Sequence, residues 1–533
     1  MYKCPGCGAE LRFDIKTQML VCDHCSTTVD PYKYEGGDEA EKEDDTTYGV
    51  NVFRCPECGG EIVSTSTAAA EFCSYCGASV VLESRLSREK KPEAIIPFTK
   101  TKDDCKEAYK KMMKGAIFAP KDLKDNTYID SFRGIYMPYW MYDVENKGLT
   151  KINGSKTHHS GDYRITDNYD LVCDVDAEYD GISYDASSSF DDNISDSIAP
   201  YNVKGLKKFT PGIMCGFYAD TADVDKDIYE KDATEFADKE TEKKVTGNFH
   251  GYEIGEFKRG YDQAVSVKKA SKVTNALYPV WFLSYRKGDR VAYATINGQT
   301  GKASADMPVD IKKYVIGSLL LAVPIFALLV TFMTITAKAA LKTSIIFSFI
   351  AAIMYDITMH SIIARETHAD DRGYKAGNDV KTGTEKKKEK KKRSGFLTAI
   401  KSVLVTLLVL FDVFAFMMLF TYNLSSAVAG IASMIVVAIG IFGGKSYRKV
   451  ASNDDNSLEV KSFFTGYSGI MVAAVISFFI MLINPVADYY YYGGAIISLA
   501  AIGFSFAAIM KRHNIIATRP LPVFNRKGGD DRA

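Results

Sequence analysis

Hydrophobic residues are distributed along this chain in two ways. Up to residue 313 they are interleaved with polar residues at short spacing, whereas from Tyr314 onward they gather into unbroken runs. Six of these runs, at about 314–337, 343–363, 396–421, 426–444, 465–484 and 492–510, approach the roughly 20 residues that carry a helix across a bilayer. The pattern predicts an all-α bundle of six transmembrane helices, with the charges collected in the connections. Before the runs, 91–313 predicts an α+β domain. Asp103–Lys114 has helical spacing with Cys105, Ala108 and Met112 on one face, and Ile228–Val245 reads as a second, highly charged helix. Alternating stretches at Tyr163–Val175 and Arg290–Ile296 read as strands.

Eight of the 11 cysteines lie between Cys4 and Cys76 and change the picture of the N-terminus. Cys4, Cys7, Cys22 and Cys25 follow C-x2-C-x14-C-x2-C, and Cys55, Cys58, Cys73 and Cys76 repeat it 51 positions later. The flanks repeat as well, CPGCGAEL against CPECGGEI. Two such turns supply four soft ligands, the donor set of a closed, tetrahedral structural Zn2+ site, and a catalytic zinc would need an open position. Two small β zinc ribbons and two structural Zn2+ ions are therefore expected. Iron is the competing metal for a four-thiolate set. Disulfides would require an oxidising compartment, and the opening MYKCPGCGAEL has no apolar stretch of signal-peptide type. Gly8 and Gly59 follow the second cysteine of their turns, where a positive φ is expected. His24 lies inside a turn whose four ligand positions are already filled, and is read as a surface residue. A ribbon this small cannot bury a sufficient core alone, so metal should supply most of its folding energy, and each ribbon should fold by itself.

The expected organisation is zinc ribbon 1 at 1–30, an acidic linker at 31–50, zinc ribbon 2 at 51–85 and a cytosolic α+β domain at 91–313. Transmembrane helices 1–2 follow at 314–363, a basic cytosolic loop at 364–395, helices 3–6 at 396–510 and a cytosolic tail at 511–533.

Net charge is zero overall but unevenly placed. Residues 1–90 carry 9 Lys and Arg against 16 Asp and Glu, and 314–533 carry 24 against 14. Nucleic-acid affinity rests largely on basic residues meeting phosphates. The ribbon segment has the opposite sign, and Glu35–Asp45 would repel a phosphate backbone, so protein partners are expected in place of nucleic acid. Lys312, Lys313, the Lys386–Arg393 run, Lys445, Arg448, Lys449 and Lys511 fall on one side of a six-span topology. The positive-inside rule then places both termini in the cytosol, in a multi-pass protein of the cytoplasmic membrane. Lys386–Arg393 also suits anionic lipid, at about 1 kcal/mol per basic residue near the surface. Asp412, well inside the third span, is the intramembrane polar candidate, either a relay group or a helix-packing hydrogen bond. Asp356 and His360 are assigned to helix packing.

Other features point to packing. Ile135–Tyr142 and Leu277–Tyr285 resemble each other around Pro-x-Trp and contain both tryptophans of the chain. They are read as buried strands, with an aromatic ligand site as the alternative. Asn297–Lys302 lacks phosphate-loop spacing and reads as a hairpin turn. His158-His159 reads as a surface loop, and Cys105, Cys173 and Cys215 lack the His or Asp context of a nucleophile. No catalytic constellation is found.

The CPxCG turns, Ile96-Pro97-Phe98, Ile135–Tyr142, Pro211–Asp220, Tyr278–Leu283 and Asn297–Lys302 resemble the TFIIB-type zinc-ribbon proteins of Firmicutes over about residues 1–313. Membrane-tethered relatives associated with envelope stress imply an adaptor or scaffold role in envelope maintenance. Six spans depart from that family's usual short anchor. A transporter or channel regulated by the ribbon head, and a membrane-tethered nucleic-acid binder, are the alternatives.

Overall fold

The structure, a computed structural model, describes residues 2–34, 46–65, 72–79, 83–254, 266–267, 272–332, 336–366, 368, 371–379, 426–451 and 460–522. Asp412, the Lys386–Arg393 run, the 396–421 span and the acidic stretch Glu35–Asp45 lie outside these residues.

A 14-stranded sheet organises the head. Its centre is the pair Arg133–Ser160 and Lys272–Lys287, antiparallel with Tyr139 opposite Ala276 and Trp281 opposite Gly134. The two Pro-x-Trp stretches are thus neighbouring strands. Their aromatic residues pack on one another: Tyr139 stacks on Tyr278 at 4.4 Å, and Phe98 lies 5.1 Å from Trp281. The indole N–H groups are satisfied by backbone, Trp140 donating to Val224 O and Trp281 to Lys100 O. The aromatic density therefore builds core, as apolar rings with a polar edge do when buried.

Arg133–Ser160 continues with Tyr163–Asp185 as a hairpin, turning at Gly161 with φ +61°. At about 3.4 Å per residue its longer strand reaches roughly 90 Å. The highly charged sequence expected to be helical forms Asp227–Asn248 and lies against this hairpin. It buries Tyr229, Ala233, Ala237, Thr241 and Val245, a strict i, i+4 row, against Tyr142, Val144 and Ile152. The other predicted helix spans Lys102–Gly115 and opens with a capping box between Thr101 and Asp104. Cys105, Tyr109 and Met113 are its buried residues, while Ala108 and Met112 flank them.

Asn297–Lys302 is the expected turn, joining strand Arg290–Asn297 to Ala303–Ala305. Asn297, fully buried, holds it. Its Oδ1 accepts from the N–H groups of Gln299 and Thr300, and its Nδ2 donates to the carbonyls of Ile198 and Pro200.

The second ribbon is not a separate bead, contrary to the expected boundaries. Its strand begins at Thr47, inside the supposed linker, and pairs with Glu83–Lys90 and Glu61–Ser64. Val63 then pairs with Ala219, and Ala219 in turn with Tyr136, so the ribbon's strands extend the head sheet.

Among the described residues, three helices are long and apolar enough to cross a membrane: Ala337–Glu366, Thr465–Ile483 and Asp488–Ile516. Six spans were expected. The 426–444 run lies in helix Ser426–Ala451, whose described apolar stretch is Ala432–Gly444, and the 314–337 run lies in helix Ile311–Phe332, with Pro324 inside it. The three spans pack through small residues. Gly469 faces the carbonyl of Ala501, and Ser344, Ser477 and Ser498 form a row of hydroxyls 3.2–3.4 Å apart. Close backbones and shared hydroxyls are how helices associate where apolar side chains gain nothing by leaving lipid. His360 Nδ1 lies 3.4 Å from Asp356 one turn earlier.

Candidate metal centres

The cysteine positions fold locally for a simple reason. In each of the four turns, the amide four residues after the leading cysteine donates to that cysteine's carbonyl. The bonds are Gly8 to Cys4, Ser26 to Cys22, Gly59 to Cys55 and Gly77 to Cys73, at 2.8–3.0 Å. That donor has φ between +59° and +76° in all four. Glycine accepts this conformation without strain; Ser26 adopts it in the one turn that lacks glycine. The positive φ expected of Gly8 and Gly59 is observed.

These turns bring each set of four thiols together. Cys4 Sγ lies 3.4 Å from Cys25 Sγ and Cys7 Sγ 3.5 Å from Cys22 Sγ. In the second set Cys55–Cys76 is 3.7 Å and Cys58–Cys73 is 3.6 Å. A tetrahedron with Zn–S bonds of about 2.3 Å has edges of about 3.8 Å. The spacing fits one ion per set and excludes disulfides, whose sulfurs lie about 2.05 Å apart. All four ligand atoms of each set lie within 4.8 Å of one another. Amides point at the sulfurs, from Gly6 to Cys4 and from Gly60 to Cys58, each at 3.4 Å. Thr27 acts similarly on Cys25, where its hydroxyl and amide lower the thiol to about 6, favouring the ligating thiolate. His24 is exposed and outside both sets.

The two sets differ in burial. Cys7 and Cys25 are exposed, whereas Cys55, Cys58, Cys73 and Cys76 are all buried. The second set shares a core with Ile135, Met137, Tyr278 and Val280 of the central strands. Tyr293 donates to the carbonyl of Tyr75 at 2.5 Å, and Arg286 pairs with Glu57. The first ribbon rests on Pro211–Met214: Phe13 N donates to Cys215 O at 2.9 Å, and Gly212 lies against Pro31, Tyr2 and Leu20. The segment 211–219 thus touches both ribbons and the central sheet. We expect two zinc equivalents per chain by elemental analysis. A mild chelator should strip the first site at least about tenfold faster than the second, because the exposed thiolates are open to attack. Equal rates, or iron alone, would contradict this assignment.

A further cluster escaped the reading of the sequence. Asp191, His368 and Asp371 have ligand atoms all within 4.8 Å of one another. Asp191 is far from the other two along the chain and no motif spacing links them, so no sequence signal marked the group. His158-His159 does not gather ligands; His158 faces Asp167 across the hairpin at 3.5 Å. Cys105 and Cys215 are buried, and burial pushes the Cys105 thiol up, away from reactivity.

The helices meet the head through polar contacts at three helix ends. Lys313 donates to Ala119 O at 2.7 Å. Arg290 donates to Glu366 at 2.7 Å and to the carbonyls of Ile515 and Thr518. Arg365 pairs with Asp306, and Arg519 lies between Asp191 and Asp306. Asn514 exchanges two hydrogen bonds with the backbone of Val309. Beyond the last helix, Arg519–Pro520 adds to the head sheet beside Arg290–Val291.

The sequence is 27% identical over 322 residues to the uncharacterised protein YdjG of Bacillus subtilis, an alignment covering 58% of this chain and 90% of that protein. No protein-family model matches the chain, and no solved structure matches it. The two four-cysteine clusters fit zinc-ribbon-like sites, no family model supports the TFIIB-type resemblance, and YdjG's name carries no function to compare.

Proposed function

We propose that this protein is a membrane-anchored scaffold whose zinc-ribbon head presents a surface to cytosolic protein partners, in the maintenance of the envelope. One observation carries the reading: both four-cysteine clusters belong to a single head that is joined by ion pairs and strand pairing to the ends of apolar helices. Closed thiolate sites support structural ions in place of catalytic ones. The first ribbon has Cys7, Asp23 and Cys25 exposed at its outer end and is open to a partner there. The start of Ile311–Phe332 and the ends of Ala337–Glu366 and Asp488–Ile516 all meet the head. That arrangement supports a cytosolic head, with the helix ends that meet it on the cytosolic side. The acidic balance of residues 1–90 speaks against nucleic acid as the partner.

The test is quantitative co-purification from membranes of the wild-type protein and a Cys7→Ser, Cys25→Ser variant. The scaffold reading requires a defined set of proteins that is lost with the first ribbon while the membrane helices still insert. Salt-sensitive DNA or RNA retained by the purified head, with no protein lost in the variant, would replace it with the nucleic-acid reading.

A further inference from the structure

The junction between head and helices contains more carboxylates than its cations neutralise. Asp185, Asp191, Asp192 and Asp371 converge where the chain leaves Ala337–Glu366 and meets the start of helix Asp192–Ile198. Arg365 is engaged by Asp306, Arg372 by Asp232, and Arg519 is shared between Asp191 and Asp306. Among the described residues no lysine or arginine side chain forms an ion pair with Asp185, Asp192 or Asp371.

The geometry within this group is that of ligands around a shared centre. His368 Nδ1 and Asp371 Oδ2 stand 3.9 Å apart, too far for a hydrogen bond. Two ligands bound at about 2.1 Å span up to roughly 4.2 Å, so the separation suits a common ion. Asp371 is 3% exposed, and its Oδ1 is anchored by the N–H of Tyr374 at 2.7 Å, leaving Oδ2 directed at the centre. The His368 ring is fixed by stacking on Tyr374 at 3.7 Å. Asp191 accepts from the N–H of Asn193 through Oδ1, and each carboxylate oxygen has a second lone pair to offer.

Two features beside the three residues point the same way. Asp185 is 2% exposed, and its Oδ1 has no hydrogen-bond partner among the described residues. It lines, with Asp192, a cavity of about 210 Å³. An adjoining cavity of about 480 Å³ is lined by Asp191, His368 and Asp371 together with His360 and Ser361, and has room for waters to complete a coordination shell.

We propose that Asp191, His368 and Asp371 bind a divalent metal ion of the Mn2+ type, at the point where the chain leaving the Ala337–Glu366 helix meets the head. Two carboxylates and one imidazole form a mixed donor set unlike the soft thiolates of the ribbons, so this site and the ribbons select different ions. The ion ties His368 and Asp371 to the N-terminus of Asp192–Ile198, and water fills its remaining positions.

Full-length protein in detergent, with its ribbon sites already loaded with zinc, is titrated with MnCl2, and free Mn2+ is followed by electron paramagnetic resonance. The wild type should bind one Mn2+ per chain. Asp191→Asn and Asp371→Asn should each weaken binding by about tenfold or more. Asp232→Asn, which alters only the partner of Arg372, should leave it unchanged. The two ligand variants lie on separate elements, and unchanged zinc content reports that each head is folded. No Mn2+ bound by the wild type at millimolar concentration would overturn the proposal. So would equal binding by both ligand variants and the wild type.

Discussion

Cys58→Ser should abolish the fold of the whole head, not of the second ribbon alone. The four buried cysteines of that ribbon share a core with Ile135, Met137 and Tyr278, and its strands continue the head sheet through Val63 and Ala219. Structural zinc contributes about 10–16 kcal/mol to the folding of small ribbons, and domains are stable by only about 5–15 kcal/mol. Losing a ligand from this site therefore removes an amount comparable to the entire stability of the head. Cys25→Ser, at the exposed ribbon, should cost one zinc and leave the sheet intact, with new proteolytic cuts confined to the segment from Tyr2 to Tyr34. The pair is read by zinc content and limited proteolysis of detergent-solubilised protein. A protease-resistant head in Cys58→Ser would show that the second ribbon folds as an independent unit after all.

Arg290→Ala should loosen the head from the helices. This guanidinium reaches Glu366, the carbonyl of Ile515 at the end of the Asp488–Ile516 helix, and the carbonyl and hydroxyl of Thr518 just beyond it. It sits where a helix C-terminus favours a cation. Its removal leaves Glu366, whose side chain is 13% exposed, facing the junction without its partner. Breaking a fully buried pair costs about 3–5 kcal/mol. The 24% exposure of the Arg290 side chain reduces this to about 2–3 kcal/mol by solvent screening. If cleavage follows the population of the opened junction, proteolysis between residues 517 and 522 should speed up by roughly 30- to 150-fold. Arg290→Lys keeps the charge but loses the fork of donors, and should fall between. An unchanged cleavage rate in Arg290→Ala would remove this contact from any account of how head and helices are held.

The ribbon ligands were legible because a metal turn is a local object. Two cysteines separated by two residues, with a residue at positive φ beyond them, specify their own geometry, and the duplication says it twice. The Lys102–Gly115 helix and the Asn297–Lys302 turn were legible for the same reason, since capping and turn chemistry act between near neighbours in the chain. The Asp227–Asn248 helix was found without its packing face, because alanines and a threonine line that face and hydrophobic patterning overlooks them.

The independence of the second ribbon was misread, and the count of six spans is not supported. Among the described residues three helices are long and apolar enough to cross a membrane, and the 396–421 run lies outside those residues. The ribbon's boundary was drawn around its cysteines, but its flanking strands find their partners far away. Nothing near Val63 announces its pairing with Ala219, on the far side of the long hairpin in the sequence.

By itself, then, the sequence determined the two four-cysteine sets, the turns that hold them and the division into a mixed head and an apolar helical region. Each of these depends on residues close together in the chain. Tertiary structure alone decided that the second ribbon is part of the head's core, that Arg290, Arg365 and Arg519 join the head to the helix ends, and that Asp191 meets His368 and Asp371. Those outcomes follow from strand order and helix exit points, which place side chains from distant parts of the chain against one another, and such pairings leave no mark on local spacing.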